Sequence, residues 1–231
     1  ENGKLVFFHK FNDIAYNARS LHQAIYTYGS KIFLFPDVGS NRIIIYDRVK
    51  DTENTITIGS DIVIKNVYFF DGKLWLFPTK INMGAYILDI DSYTLARWKT
   101  WDDLGYGDFG CSTVLFNSTF FVQVANSNVI LEISDGNVAK HKFNIDSSGI
   151  IPIECAESSL LLGSDNNFDI YRINIGTWKC EKIFSQTADV SGDRFMRLKT
   201  IDKWVLGVKR YAMEAVLLDT ESKEYRKIDL T

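Results

Sequence analysis

Short apolar runs separated by polar turns fill this chain, and the runs recur. Ser30-Lys31-Ile32-Phe33-Leu34-Phe35-Pro36 is echoed by Gly72-Lys73-Leu74-Trp75-Leu76-Phe77. Ser118-Thr119-Phe120-Phe121-Val122, Ser158-Ser159-Leu160-Leu161-Leu162 and Asp202-Lys203-Trp204-Val205-Leu206 follow. The position of Lys31 thus returns at 73, 119, 159 and 203, at spacings of 42, 46, 40 and 44 residues. A second landmark is an apolar residue followed by a polar turn starter: Tyr46-Asp47, Ile90-Asp91, Ile133-Ser134, Ile173-Asn174 and Leu218-Asp219. Its spacings are 44, 43, 40 and 45 residues. Two landmarks that drift together mark an internal repeat.

Runs of four to seven aromatic and β-branched residues between Gly, Asp and Ser read as strands. Each unit predicts four of them. An inner strand comes first: Gln23–Tyr28, Val63–Phe70, Ser112–Phe116, Ile151–Ala156 or Phe195–Thr200. Two apolar strands follow, and a turn then leads to a more polar fourth. Three of these turns carry a hydroxyl three residues on, in Asp91-x-x-Thr94, Asn174-x-x-Thr177 and Asp219-x-x-Ser222, as in reversals where the side chain bonds local amides. The 3.6-residue apolar period never lasts three turns, so no helix is predicted.

Four antiparallel strands every 40–45 residues indicate an all-β fold, a β-propeller of four-stranded antiparallel blades. A sandwich also has many short strands but does not explain a four-strand period repeated five times. The units span about 22–58, 62–101, 110–143, 150–184 and 194–230 of a single 1–231 propeller domain. His-Lys-Phe-Asn occurs at 9–12 and again at 141–144, so residues 4–11 read as one extra strand, like the fourth strand of a blade. Two closures follow. In the favoured one the ring has five blades and the extra strand adds to an edge; in the other these five belong to a propeller of six to eight.

The 72–98 unit is the clearest copy, and it resembles a kelch-type blade. Leu74–Phe77, Tyr86, Asp91, Thr94 and Trp98 fit that family's pattern, while its diglycine is absent, with Pro78 and Pro36 near its place. The resemblance implies a scaffold that holds a partner or ligand on one face, as most such propellers do, though some are enzymes.

Composition narrows the function by exclusion. At 231 residues with 46% hydrophobic and 24% charged content, the chain resembles an ordinary globular protein. A net charge of −3 argues against nucleic acid as a partner. No apolar window is long enough to insert in a membrane. Cys111, Cys155 and Cys180 are odd in number and match no zinc or redox spacing, which favours free thiols. The start at Glu1 leaves both a secreted or cell-surface location, after removal of a leader, and an intracellular one open. Oligomeric state is not legible.

No nucleophile–base pair, P-loop or dinucleotide fingerprint is present, and His9, His22 and His141 are not spaced as metal ligands, so no catalytic residue, metal or cofactor is assigned. The remaining constellation is acidic. Asp61, Asp108, Asp146 and Asp193 precede the Lys31-type landmark by 12, 11, 13 and 10 residues, and Arg19 stands in the corresponding place of the first unit. Such acids can cap turns, and repetition favours that use. They can also ring the propeller mouth, to bind a ligand or, in the enzymatic alternative, to act as a glycosidase pair. The departures from repetition are more informative. Trp101, Tyr106, Asp108 and Phe109 lie in a long segment before the third unit, a composition suited to sugar stacking or protein contact. Arg210 and Tyr211 in the fifth unit, with Arg19 and Arg194, suit an anionic group. The expected function is a non-catalytic scaffold for a protein or glycan, with Arg19, Asp61, Trp101, Tyr106, Asp108, Phe109, Asp193, Arg194, Arg210 and Tyr211 as candidate ligand contacts.

Overall fold

The computed structural model describes residues 22–36, 41–59, 62–78, 84–99, 111–124, 127–134, 137–143, 150–156, 159–164, 169–185, 195–209 and 214–230. These form 20 strands in five four-stranded sheets. The first blade is β1 (His22–Tyr28), β2 (Lys31–Pro36), β3 (Arg42–Asp47) and β4 (Thr52–Thr57). The second is β5 (Ile64–Phe70), β6 (Lys73–Pro78), β7 (Ala85–Asp89) and β8 (Leu95–Lys99). The third is β9 (Cys111–Phe116), β10 (Thr119–Val124), β11 (Val129–Ser134) and β12 (Asn137–Lys142). The fourth is β13 (Ile150–Ala156), β14 (Ser159–Ser164), β15 (Ile170–Asn174) and β16 (Cys180–Phe184). The fifth is β17 (Phe195–Ile201), β18 (Trp204–Lys209), β19 (Glu214–Asp219) and β20 (Tyr225–Asp229). Within each sheet the order follows the chain, and every pairing is antiparallel.

The first strands lie side by side, β1 against β5, β5 against β9, β9 against β13 and β13 against β17. The second, third and fourth blades are therefore covered on both faces by their neighbours. That is why their middle strands are apolar with little alternation: Phe120, Phe121 and Val122 of β10 and Val129, Ile130 and Leu131 of β11 are all buried. A strand buried on both faces needs a continuous apolar run, whereas one with a wet face alternates. The fourth strands pack less. All of β20 is exposed, and β4 and β12 each bury no side chain fully, which matches their Thr, Asn, Lys and Glu content.

Four apolar clusters fill the seams. Phe33, Phe35, Ile43 and Ile45 of the first blade meet Leu74, Leu76 and Leu88 of the second. Phe77 and Ala85 meet Phe120, Val122 and Leu131. Val114, Phe121 and Ile130 meet Tyr171 and Ile173. Ile170, Ile183 and Phe184 meet Leu198, Val205, Val216 and Leu218.

At one end of the blades the chain turns tightly. The first and second strands of every blade are separated by two residues. Asp71-Gly72 and Asn117-Ser118 both have positive φ at each position, the geometry whose twist matches a hairpin. The reversals between third and fourth strands share a second device. Oδ1 of Asp47 accepts from the amides of Val49 and Lys50, and Oδ1 of Asn174 accepts from the amide and hydroxyl of Thr177. Oδ1 of Asp219 accepts from the amides of Glu221 and Ser222. In the second blade the acceptor is Asp89, not the expected Asp91: its Oδ1 takes the amides of Asp91 and Ser92 and the Ser92 hydroxyl. The pairing Lys73↔Asp89 matches Lys31↔Asp47, so Asp89-x-x-Ser92 is the true counterpart of the other turns. In the fifth blade Trp204↔Asp219 makes Trp204, rather than Lys203, the counterpart of Lys31. Both offsets are one or two residues, which a drifting period does not resolve.

Four residues after each turn acceptor stands a residue with positive φ: Asp51, Tyr93, Trp178 and Lys223. Three of them grip the preceding blade. Lys31 lies over the Tyr93 ring and donates to the carbonyl of Ile90 at 2.7 Å. Trp178 stacks on His141 with centroids 3.6 Å apart, and His141 Nε2 is 2.7 Å from Glu132 Oε2. Lys223 pairs with Glu181 at 2.8 Å. A bulky residue in the left-handed region costs about 1–2 kcal/mol, and these contacts between blades offset it.

The turn carboxyls give the fold an acid limit. Asp89 is held below its ordinary value of 3.8 by the Ser92 amide and hydroxyl and the Asp91 amide. Asp219 is lowered chiefly by Lys203. Burial alone would raise Asp47, but the Val49 and Lys50 amides and the Ser30 hydroxyl outweigh it and lower it. A carboxyl lowered in the folded state contributes stability that is complete above its ordinary value and is lost as pH falls through the folded one. Thermal midpoints should therefore be level above about pH 5 and fall steeply below about pH 4. Asp219→Asn should flatten that fall.

Cys180 is a free thiol pushed up to about 11 by burial. Since the thiolate is the nucleophile, Cys180 should resist alkylation by iodoacetamide at pH 8 in the folded protein and react readily in urea, as read by site-resolved mass spectrometry.

Candidate functional site

The opposite end of the blades is where the chain varies. There the second and third strands are joined by 5, 6, 4, 5 and 4 residues, and successive blades by 6, 11, 7 and 10. One end carries turns of two to five residues and the other connections of four to eleven, the distribution expected of a scaffold that presents recognition loops from one rim.

All ten sequence-derived candidates, Arg19, Asp61, Trp101, Tyr106, Asp108, Phe109, Asp193, Arg194, Arg210 and Tyr211, lie outside the described residues. So does the 4–11 segment. The described strand ends that flank them define the rim.

Four of the five inner strands begin with an irregularity in their pairing. The register shifts between His22 and Ala24, Ile64 and Asn66, Ile150 and Ile153, and Phe195 and Arg197. Such bulges bend and twist a strand and re-aim the residues beside it. The third blade differs: its pairs run unbroken from Cys111↔Val124 to Thr119↔Phe116, and the longest connection precedes it.

The rim of the third blade is also unusually polar. Ser112, Thr113 and Gln123 are buried. Side chains of β5 reach across to it. The Tyr68 hydroxyl donates to the Thr113 carbonyl, and the Asn66 side-chain amide, with its oxygen and nitrogen assigned so that both are satisfied, accepts from the Thr113 amide at 3.1 Å. These bonds satisfy an inner-strand edge that no fifth strand covers, since unpaired buried backbone groups are costly. Gln123 Nε2 donates to the carbonyls of Val124 and Ser127, bracing the β10–β11 connection. Gln123 Oε1 and Thr113 Oγ1 are buried without a protein partner. Gln123 lies one register position on from Val122↔Thr113, so the two side chains face opposite neighbours and do not form one site.

The rim of the fourth blade carries a buried charge that sequence reasoning missed. Asp169, with its side chain 2% exposed, is 2.7 Å from Lys182 Nζ. It also accepts from the Ser185 hydroxyl at 2.6 Å and the Tyr171 hydroxyl at 3.1 Å. The bond to Asp169 holds the Lys182 ammonium above its ordinary range, and burial, with Asp169 close by, raises the Tyr171 phenol. The cluster ties the start of β15 to the end of β16. Its sequence signal, Asp169-x-Tyr171 before an apolar strand, gives no hint of Lys182 and Ser185 in the next strand.

Among the described residues the carboxyls whose titration is displaced, Asp47, Asp89, Glu181 and Asp219, are displaced downward. Among the described residues no group of three His, Cys, Asp or Glu side chains could hold a metal ion, and no helix is long and apolar enough to cross a membrane.

No protein-family model matches the chain, and no curated protein sequence matches it. Solved structures do. The extracellular domain of the putative one component system BT4673 from B. thetaiotaomicron superposes with a TM-score of 0.69 at 11% identity, over 93% of this chain and 29% of that one. The computationally designed Ika8 protein gives 0.62 at 11% identity, over 90% of this chain and 61% of that one. The β-propeller domain of Cps50 (Swd1) from Myceliophteria thermophila gives 0.61 at 9% identity, over 87% and 70%. The chain thus spans less than two thirds of the first two. At such identities the likeness is one of fold, and it matches the architecture reached from the repeat: five four-stranded blades of a β-propeller.

Proposed function

We propose that this protein is a non-catalytic binding scaffold that recognises a glycan or protein surface through the rim bearing the longer connections. The observation that carries the reading is the contrast between the two ends. Both faces of the inner blades are consumed by neighbouring blades, and one end is closed by short, internally bonded turns. Variable chemistry is left to the other end. Nine of the ten candidate residues belong in sequence to connections of that end, Arg19 precedes β1, and the connection with Trp101, Tyr106 and Phe109 is the longest. Aromatic rings with neighbouring acids and arginines suit stacking against a sugar or a protein side chain, with polar groups fixing orientation. The kelch-type kinship is part of the proposal and rests on residues 72–98 alone.

The test is a glycan array and a display library of folded protein domains, probed with the wild type, a Tyr106→Ala/Tyr211→Ala variant and a Val49→Asp variant at the tight-turn end. Binding that survives Val49→Asp and falls at least tenfold in the double variant supports the proposal. Binding lost only through Val49→Asp, or turnover of a glycoside substrate, refutes it.

A further inference from the structure

Each of the four seams is an apolar cluster joining one blade to the next, and the fifth blade presents the counterparts of the first blade's seam positions with no described blade against them. In the first blade, Tyr28 stacks on Phe69 of the second at 4.9 Å, and Phe33, Phe35, Ile45 and Ile56 belong to the seam cluster. The pairs Tyr28↔Lys31 and Lys31↔Asp47 correspond to Ile201↔Trp204 and Trp204↔Asp219. The counterparts are therefore Ile201, Leu206, Val208, Leu217 and Ile228. All five are apolar. Phe33, Phe35 and Ile45 are 0% exposed, yet Leu206, Val208 and Leu217 are only half-buried, and Ile201 and Ile228 are 62% and 37% exposed. Among the described residues no apolar cluster joins the fifth blade to the first, where Ile25 on β1 is 67% exposed.

Ring geometry agrees. The 87% of this chain that covers 70% of the Cps50 propeller domain amounts to about 4.4 blades, which implies about six blades in that ring, or about 60° per blade against 72° in a ring of five. A ring on that arc has room for more than the five blades of this chain.

We propose that the outward face of the fifth blade is the docking surface for a sixth four-stranded blade of the same polypeptide, within a ring larger than five. Continuity with the existing seams identifies the occupant. Each of the first four blades packs on the next in chain order through an apolar cluster. A second copy of this arc does not fit, because a ring of about six leaves room for about one blade and the arc holds five.

The experiment places Leu217→Glu, and Ile45→Glu as a control, in the 231-residue protein and in the natural gene product. Ile45→Glu should unfold both. Leu217→Glu should lower the melting temperature of the 231-residue protein by less than about a third of the Ile45→Glu effect and reduce its binding of the dye ANS. In a natural product longer than 26.4 kDa it should be nearly as damaging as Ile45→Glu. A natural product of 26.4 kDa overturns the proposal. So does equal damage by the two substitutions in the 231-residue protein, or no extra damage in the longer one. A dimer of the 231-residue protein that Leu217→Glu dissolves identifies a second copy as the occupant and overturns it too.

Discussion

Phe33→Ala should cost about 3–5 kcal/mol. Phe33 is 0% exposed and sits in the seam of the first two blades with Ile43, Ile45, Leu74 and Leu76. Truncation removes its transfer free energy and leaves a cavity between two sheets. Because each sheet is tied by its own ladder, neither can collapse fully into the gap. Phe33→Leu should recover most of the loss, since it refills most of the volume. Urea unfolding of the three proteins measures both numbers. A loss below about 1 kcal/mol for Phe33→Ala would show that the seam is not packed as described.

Lys182→Met should cost about 2–4 kcal/mol although nearly half of the lysine side chain is exposed. The reason is its partner. Asp169 is buried, and without the ammonium the Ser185 and Tyr171 hydroxyls are the groups that face its carboxylate among the described residues. Removing one member of a buried pair leaves an uncompensated charge, which is worse than removing both. The double substitution Lys182→Met/Asp169→Leu should therefore be less damaging than Lys182→Met alone. Thermal unfolding of the two variants decides it. If the single substitution is harmless, the carboxylate is wetter than its position between β15 and β16 indicates.

What the sequence made legible follows from which interactions are local. Strand identity, the four-strand unit and the period are written in runs such as Ile43-Ile44-Ile45, because a strand buried on both faces has no polar position to spare. The turn starters were legible to within two residues. Asp91 looked like the turn acceptor because Thr94 follows it at the right spacing, but the ladder pairs Lys73 with Asp89, and the ladder decides. Contacts between blades were not legible. Nothing in Thr177-Trp178 announces that the indole will stack on His141 of another blade. The Asp169–Lys182 pair was hidden for the same reason, since it depends on two strands meeting. The bulges at the start of β1, β5, β13 and β17 were also missed; they arise from twist, which composition does not encode. The candidate rim was reached by comparing repeats, and connection lengths support the choice of end without testing any of its ten residues.

Hydrogen–deuterium exchange resolved along the chain tests the central claim, that each unit of about 43 residues is a blade with its middle strands sealed between neighbours. The account predicts slow exchange in β2, β3, β6, β7, β10, β11, β18 and β19, and faster exchange in β4, β12 and β20, so that protection rises and falls with the period of the repeat. Exchange as slow in β4, β12 and β20 as in the middle strands, or protection without that period, would contradict it.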